Sequence, residues 1–178
     1  EWATVKIAVV STTTGSYTAS DWNLVGDVTS LNTSANTAKV GNTLAATIES
    51  NSLAGANISA DILSDLIITS VEKTALYNEW NRIKAEYTNQ LAQASSLSVV
   101  TTAYTTAYNA IDSTAPKIST ILSSMSTKTT LTVAERDNFR AQLNTYYTQA
   151  TGIAKAITQA VINKASAEVT VVSNNLST

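Results

Sequence analysis

The chain has neither cysteine nor histidine among its 178 residues, and only one proline and one methionine. Without cysteine there are no disulfide staples and no thiol chemistry. Without histidine there is no imidazole acid–base catalysis and no histidine-liganded zinc. Charge is scarce as well: Asp, Glu, Lys and Arg make up 13% of the residues, about half the usual share. The 11 basic and 13 acidic residues leave a net charge of −2. No basic run stands out, which argues against nucleic-acid binding by phosphate neutralisation. No apolar run is long enough to cross a bilayer, so membrane insertion is not expected. No signal peptide is present in the sequence as given.

What remains is an ordinary hydrophobic share, 44%, with Thr, Ser, Ala and Asn supplying most of the polarity. A neutral, hydroxyl-rich surface of this kind suits an extracellular or particle-borne protein. The length allows one domain of ordinary size, or a small domain plus an extension. Because it begins at Glu1 and opens directly into strand-like alternation, the chain reads as a fragment of a longer protein or as a processed one.

Four zones follow from the patterning. Residues 1–20 form a short β segment: Trp2, Val5, Ile7 and Val9 alternate with polar or small neighbours. Residues 21–50 carry a heptad-like helix. Leu24, Leu31, Ala38 and Ala45 lie seven apart, with Val28, Ala35 and Asn42 as the alternate set. Its small, partly polar core makes it a poor autonomous helix. It either self-associates as a coiled coil or docks on the next zone. Residues 51–68 read as a linker, with Gly55, Asn57 and Asp61 as turn residues and Ile58, Ile62, Leu63, Leu66, Ile67 and Ile68 needing burial.

Residues 69–172 are a three-helix module with a long final helix. The first helix, Ser70 to about Ser95, starts at a capping box, Thr69 with Glu72, and shows an apolar stripe of Leu76, Trp80, Ile83, Tyr87 and Leu91. Glu79, Arg82, Lys84 and Glu86 fall mostly off that stripe and read as a solvated face. The second helix runs from a Ser98 cap to about Thr114, with Val100, Ala103, Tyr104, Ala107, Tyr108 and Ile111 on one side. Pro116 ends it or opens a short segment bearing Ile118, Ile121 and Leu122. The third helix starts at a second box, Thr132 with Glu135, and runs to about Glu168. Its stripe is Phe139, Leu143, Tyr146 or Tyr147, Ala150, Ile153, Ile157, Val161 and Ala165. Its C-terminal half is expected to project and pack on another element. Val169 to Val172 reads as strand. The expected fold is therefore mainly α: an elongated, coiled-coil-like segment plus an antiparallel helical bundle, with a small β portion at the N-terminus.

One resemblance covers roughly residues 58–160. The runs Ile58-Ser59-Ala60-Asp61, Ile68-Thr69-Ser70-Val71-Glu72-Lys73 and Glu79-Trp80-Asn81-Arg82-Ile83 come first, with Ala85-Glu86. Ala103-Tyr104, Ala107-Tyr108-Asn109-Ala110, Arg136-Asp137-Asn138-Phe139-Arg140 and Tyr146-Tyr147 follow in order. Together they resemble a module of tail fibre and tail-tip proteins of tailed bacteriophages, the central-fibre and host-attachment components. The family commonly has Pro after the capping residue of the first helix, where this chain has Ser70-Val71. The resemblance implies a structural protein of the virion tail fibre, trimeric, carrying or supporting a host-binding tip. Its implied partners are copies of itself, other tail and baseplate proteins, and a bacterial surface polysaccharide or other host receptor. No enzymatic activity and no cofactor is expected.

Candidate sites are few. Trp80, Tyr87, Tyr104, Tyr108, Phe139, Tyr146 and Tyr147 recur at helical spacing and form either a bundle core or a sugar-stacking platform, the core being the stronger reading. Trp2, Tyr17 and Trp22 lie outside that set; they line a shallow saccharide site, plug a small sheet core, or sit at a subunit interface. Asn57, Asp61 and Asp65 recur every four residues and offer oxygens to a hard cation, but capping fits them better. No catalytic residue or metal ligand is picked out. A carbohydrate-binding module and a stalk segment of a bacterial surface adhesin are the alternative readings.

Overall fold

The computed structural model describes residues 45–176. The expected β segment at 1–20 and nearly all of the heptad-like zone at 21–50 lie outside these residues. The described part opens in a helix, α1, at residues 45–62. Then come β1 (Ile67–Ile68), α2 (Ser70–Ser96), α3 (Thr102–Ser113), α4 (Ile118–Ile121), β2 (Thr129–Thr130) and α5 (Val133–Leu176). The described chain is mostly helical, with one two-stranded antiparallel sheet in which Ile67 faces Thr130 and Ile68 faces Thr129.

The expected linker is helical as far as residue 62. Its inward positions are Ile48, Ser52, Gly55, Ser59 and Ile62, at steps of four, three, four and three. Three of these five are Ser or Gly, so the face is helical in spacing without being hydrophobic. Gly55, Asn57 and Asp61 are therefore helical, not turn residues, and Ile58 and Ile67 stay exposed. Asp65 accepts a hydrogen bond from the Ile67 N–H at 2.7 Å, and the chain enters β1.

α2 starts as its cap predicts. The Thr69 hydroxyl accepts from the Glu72 N–H at 3.3 Å, and the Glu72 carboxylate accepts from the Thr69 N–H at 2.8 Å. The second box does the same for α5: the Thr132 N–H donates to Glu135 at 2.8 Å, and the Glu135 N–H donates to the Thr132 hydroxyl at 3.2 Å. These bonds hold the exposed Glu135 carboxyl below the usual glutamate range.

α3 begins four residues later than its expected cap. Ser98 sits at φ 56, in the left-handed turn after α2, and Thr102 opens the helix. Val100 is consequently 82% exposed, and Ala103 is exposed with it. Tyr104, Ala107 and Ile111 remain on the buried side.

Side-chain contacts fix the helix directions. Glu49 meets Lys155 and Ser59 meets Tyr147, so α1 runs antiparallel to α5. Tyr104 meets Tyr146 and Gln142 donates to the Thr114 carbonyl, so α3 is antiparallel to α5 as well. α1 and α3 therefore point one way, and α2 and α5 the other. Residue 45 and the C-terminal half of α5 lie toward one end. The β1–β2 pair and α4 close the opposite end, where Ile118, Ile121 and Leu131 are buried.

α5 is longer than expected: 44 residues, about 66 Å. The segment 169–172 is helix, not strand, because Val172 keeps the helical register of the stripe before it. β-branched residues lean toward strand only weakly, and helical context overrides them. The stripe itself has an eleven-residue period. Phe139, Ala150, Val161 and Val172 lie eleven apart; so do Leu143, Ala154 and Ala165, and so do Tyr146, Ile157 and Glu168. All are buried except Ala165 and Glu168, which are half-buried. Eleven residues in three turns give about 3.67 per turn, close to the natural pitch. The inward face therefore holds its direction along a long helix with little supercoiling.

Candidate functional site

The charged residues of α2 are not a solvated face. α2 turns Lys73, Leu76, Glu79, Ile83, Glu86, Gln90 and Ala94 inward. Trp80, Tyr87 and Leu91 of the expected stripe form its half-buried flank. Glu79 is 5% exposed, Glu86 9% and Lys73 1%. Burial of so much charge requires partners. Glu79 and Glu86 stand two helical turns apart, and Arg82 lies between them. Its guanidinium holds Glu79 with two hydrogen bonds, at 2.9 and 2.7 Å, and Glu86 with one at 2.6 Å.

The other donors come from α5. The Tyr147 hydroxyl donates to Glu79 at 2.7 Å. Its one proton being committed there, the Ser59 hydroxyl of α1 is the donor in the 3.3 Å contact with Tyr147. The Tyr146 hydroxyl reaches Glu86 at 3.1 Å and the Ile83 carbonyl at 3.3 Å. By the same reasoning Tyr104 donates to Tyr146 at 3.2 Å. A ladder of carboxylate, guanidinium and phenol groups thus joins α1, α2, α3 and α5 across a buried seam. Gly55 is part of it: a Cβ there would collide with the Glu79 carboxylate and come within 2.7 Å of the Tyr147 ring.

The electrostatics follow from burial. Burial pushes the Tyr104, Tyr146 and Tyr147 hydroxyls well above the ordinary phenol range, so they stay protonated as donors. Burial also raises the Glu86 carboxyl, against the opposing pull of Arg82 and the Tyr146 hydrogen bond. Burial alone would lower Arg82, but its Glu79 hydrogen bond and the charges of Glu86 and Glu79 prevail and hold it cationic. Lys73 is tied separately: its ammonium donates to the Ser124 carbonyl at 2.8 Å, pinning α2 to the loop after α4.

The aromatic residues divide between core and surface. Phe139, Tyr104, Tyr146 and Tyr147 are buried, as the core reading expects. Trp80, Tyr87 and Tyr108 are half-buried and carry the aromatic column to the surface. Tyr104 stacks on Tyr146 at 5.6 Å and meets Tyr87 at 5.2 Å. Tyr87 and Tyr108 are parallel within 1° at 3.8 Å, and Trp80 stacks on Tyr108 at 5.4 Å. The column opens into a cleft of about 450 Å³ lined by Trp80, Tyr108, Asn109, Asp112 and Ser113. The exposed Lys84 ammonium lies 5.8 Å from the Trp80 ring. A second, more open cavity of about 550 Å³ lies along Ser70, Val71, Thr74, Ala75, Asn78 and Met125.

Trp2, Tyr17 and Trp22 lie outside the described residues. Asn57 and Asp61 lie exposed on α1, and Asp65 serves the backbone of the following turn. On the α5 surface, Arg136 pairs with Asp137 at 2.9 Å. Sequence reasoning missed the buried ladder. Its signal was the three-and-four spacing of Glu79, Arg82 and Glu86 opposite adjacent tyrosines 146 and 147.

The described residues thus form a helical bundle closed by a polar clasp, with an aromatic cleft on one side. Comparison with known proteins connects it to phage tails. The chain is 34% identical over 106 residues, 60% of its length, to a protein named tail fiber protein from Enterococcus phage phiEF24C. The match takes up 6% of that protein, so the chain spans only a small part of the curated relative. No family model matches the chain, and no solved structure matches it. The chain is thus related in sequence to a phage tail fibre protein, which supports a structural role in a phage tail.

Proposed function

We propose that this chain is a segment of a bacteriophage tail fibre that assembles with two further copies of itself and acts in attachment to the host cell. The observation that carries the reading is the 34% identity to a tail fiber protein over 106 residues, 60% of the chain. The fold supports it. The start of α1 and the distal half of α5 lie toward one end of the bundle and the β1–β2 pair toward the other, so a fibre shaft would join at the first of these ends. The exposed apolar residues Ile162, Val169 and Val171 on distal α5 supply further surface for packing between copies. The role is mechanical and adhesive, not catalytic. Affinity for a polymeric receptor then comes from repeated weak sites on the three copies. Light scattering coupled to size-exclusion chromatography tests the assembly. The expected mass is three times that of the chain, and a monomer at micromolar concentration would sink the trimer.

A further inference from the structure

We propose that the cleft between α2 and α3, lined by Trp80, Tyr108, Asn109, Asp112 and Ser113, binds a saccharide ring. The cleft has the two components such a ligand needs. Trp80 is half-buried, fixed from below by its stack on Tyr108, and offers apolar ring surface to the C–H face of a sugar. The α3 side of the cleft carries only short polar groups, Asn109, Asp112 and Ser113, all exposed. Asp112 is already oriented: its Oδ1 accepts the Ser119 N–H at 2.9 Å. Its Oδ2, and both side-chain polar atoms of Asn109, make no hydrogen bond among the described residues. Asn109 and Asp112 are three residues apart on α3, so they lie on one face and reach neighbouring hydroxyls of one ring.

The volume of about 450 Å³ falls within the range of small-ligand sites. The aromatic column beneath the cleft explains its rigidity. Tyr87 holds Tyr108 from the other side at 3.8 Å, and Tyr87 is anchored by its hydroxyl to Thr105 at 3.2 Å. A site of preset aromatic faces and neutral or singly charged hydrogen-bonding groups suits an uncharged polyhydroxylated ligand better than a nucleic acid or a strongly charged peptide. The exposed Lys84 ammonium lies over the Trp80 ring, 5.8 Å from its centroid, at the edge of the cleft.

The ligand class rests on the attachment reading above, while the geometry of the cleft does not. The test uses the full chain labelled with ¹⁵N, titrated separately with glucose, rhamnose, N-acetylglucosamine and the N-acetylglucosamine tetrasaccharide. The expected result is saturable movement of the Trp80 indole and Asn109 amide signals with at least one of these probes. Asn109→Ala, which removes no side-chain hydrogen bond among the described residues, is expected to weaken that binding about tenfold without lowering the melting temperature. Silence with all four probes would overturn the proposal, as would movement confined to other residues or an Asn109→Ala affinity equal to the parent's. If the same signals move on diluting the protein without sugar, the cleft is a contact surface between copies and the saccharide reading falls. The trimer is judged by mass, so the two readings fail independently.

Discussion

Replacing a helical glycine by alanine ordinarily stabilises a helix by about 0.5–1 kcal/mol, because the unfolded chain loses freedom. The two helical glycines described here are expected to respond in opposite directions. Gly152 lies on α5 with open space where its Cβ would stand, so Gly152→Ala keeps the full propensity gain. Gly55 faces the buried ladder. Its Cβ would overlap the Glu79 carboxylate and lie 2.7 Å from two atoms of the Tyr147 ring. Glu79 is not free to swing away, since Arg82 grips both of its oxygens and Tyr147 donates to one of them. Tyr147 is itself buried. Overpacking of this kind costs about 1–3 kcal/mol, and losing a hydrogen bond to a buried carboxylate adds about 1–3 kcal/mol. After the propensity gain is subtracted, Gly55→Ala should destabilise by about 1–5 kcal/mol. Urea denaturation followed by circular dichroism measures both variants. In a chain of this size 1 kcal/mol corresponds to about 2–4 °C in melting temperature. An alanine at 55 as stable as the parent would refute the close approach of α1 to the ladder.

Two further outcomes follow from named contacts. Thr69→Ala removes the acceptor for the Glu72 N–H and should cost about 1 kcal/mol in the same denaturation, with Thr69→Ser restoring most of it. The Glu86 carboxyl has its pKa raised in the fold, so the folded state holds a proton that the unfolded state has released over a window starting near the ordinary glutamate value of about 4.3. The stability contributed at this site is present below that window and is lost as pH rises through it. Glu86→Gln abolishes that slope. The melting temperature of the variant minus that of the parent should therefore climb as pH rises above the ordinary glutamate range, and a flat difference would contradict the burial argument.

The elements most legible in the sequence were those in which a cap and an apolar stripe coincide. The Thr69–Glu72 and Thr132–Glu135 boxes start α2 and α5 where they were read. α1 was hidden for a physical reason. Its inner face packs against carboxylate and phenol groups, so it presents Ser52, Gly55 and Ser59 rather than Leu or Ile, and a search for hydrophobic period passes over it. The same cause displaced the inner face of α2. Glu79 and Glu86 look like solvent residues until Arg82 and two tyrosines from a distant helix supply their partners. The late start of α3 follows from the positive φ of Ser98, which no propensity argument would assign to serine. The aromatic cleft could not be located from one helix, because Trp80 and Asn109 belong to different ones.

The polar ladder also solves a problem that the eleven-residue stripe creates. A slide of α5 by one turn, about 5.4 Å, would again turn mostly apolar side chains inward, Ala150 and Ala154 among them. The ladder forbids that slide. Tyr146 and Tyr147 must meet Glu86 and Glu79, and a shift of one turn leaves both carboxylates without their phenol donors. Arg82, on the same helix as both carboxylates, stays with them, so the slide costs the phenol hydrogen bond at each, about 1–3 kcal/mol apiece. A buried ion pair adds little net stability over a well-packed apolar contact, so the ladder acts chiefly on register. Changing Tyr146 and Tyr147 together to Phe keeps the rings and removes the lock. The variant should remain helical by circular dichroism while its α5 amide signals broaden or double, reporting exchange between registers. Sharp single signals along α5 in that variant would show that apolar packing alone sets the register.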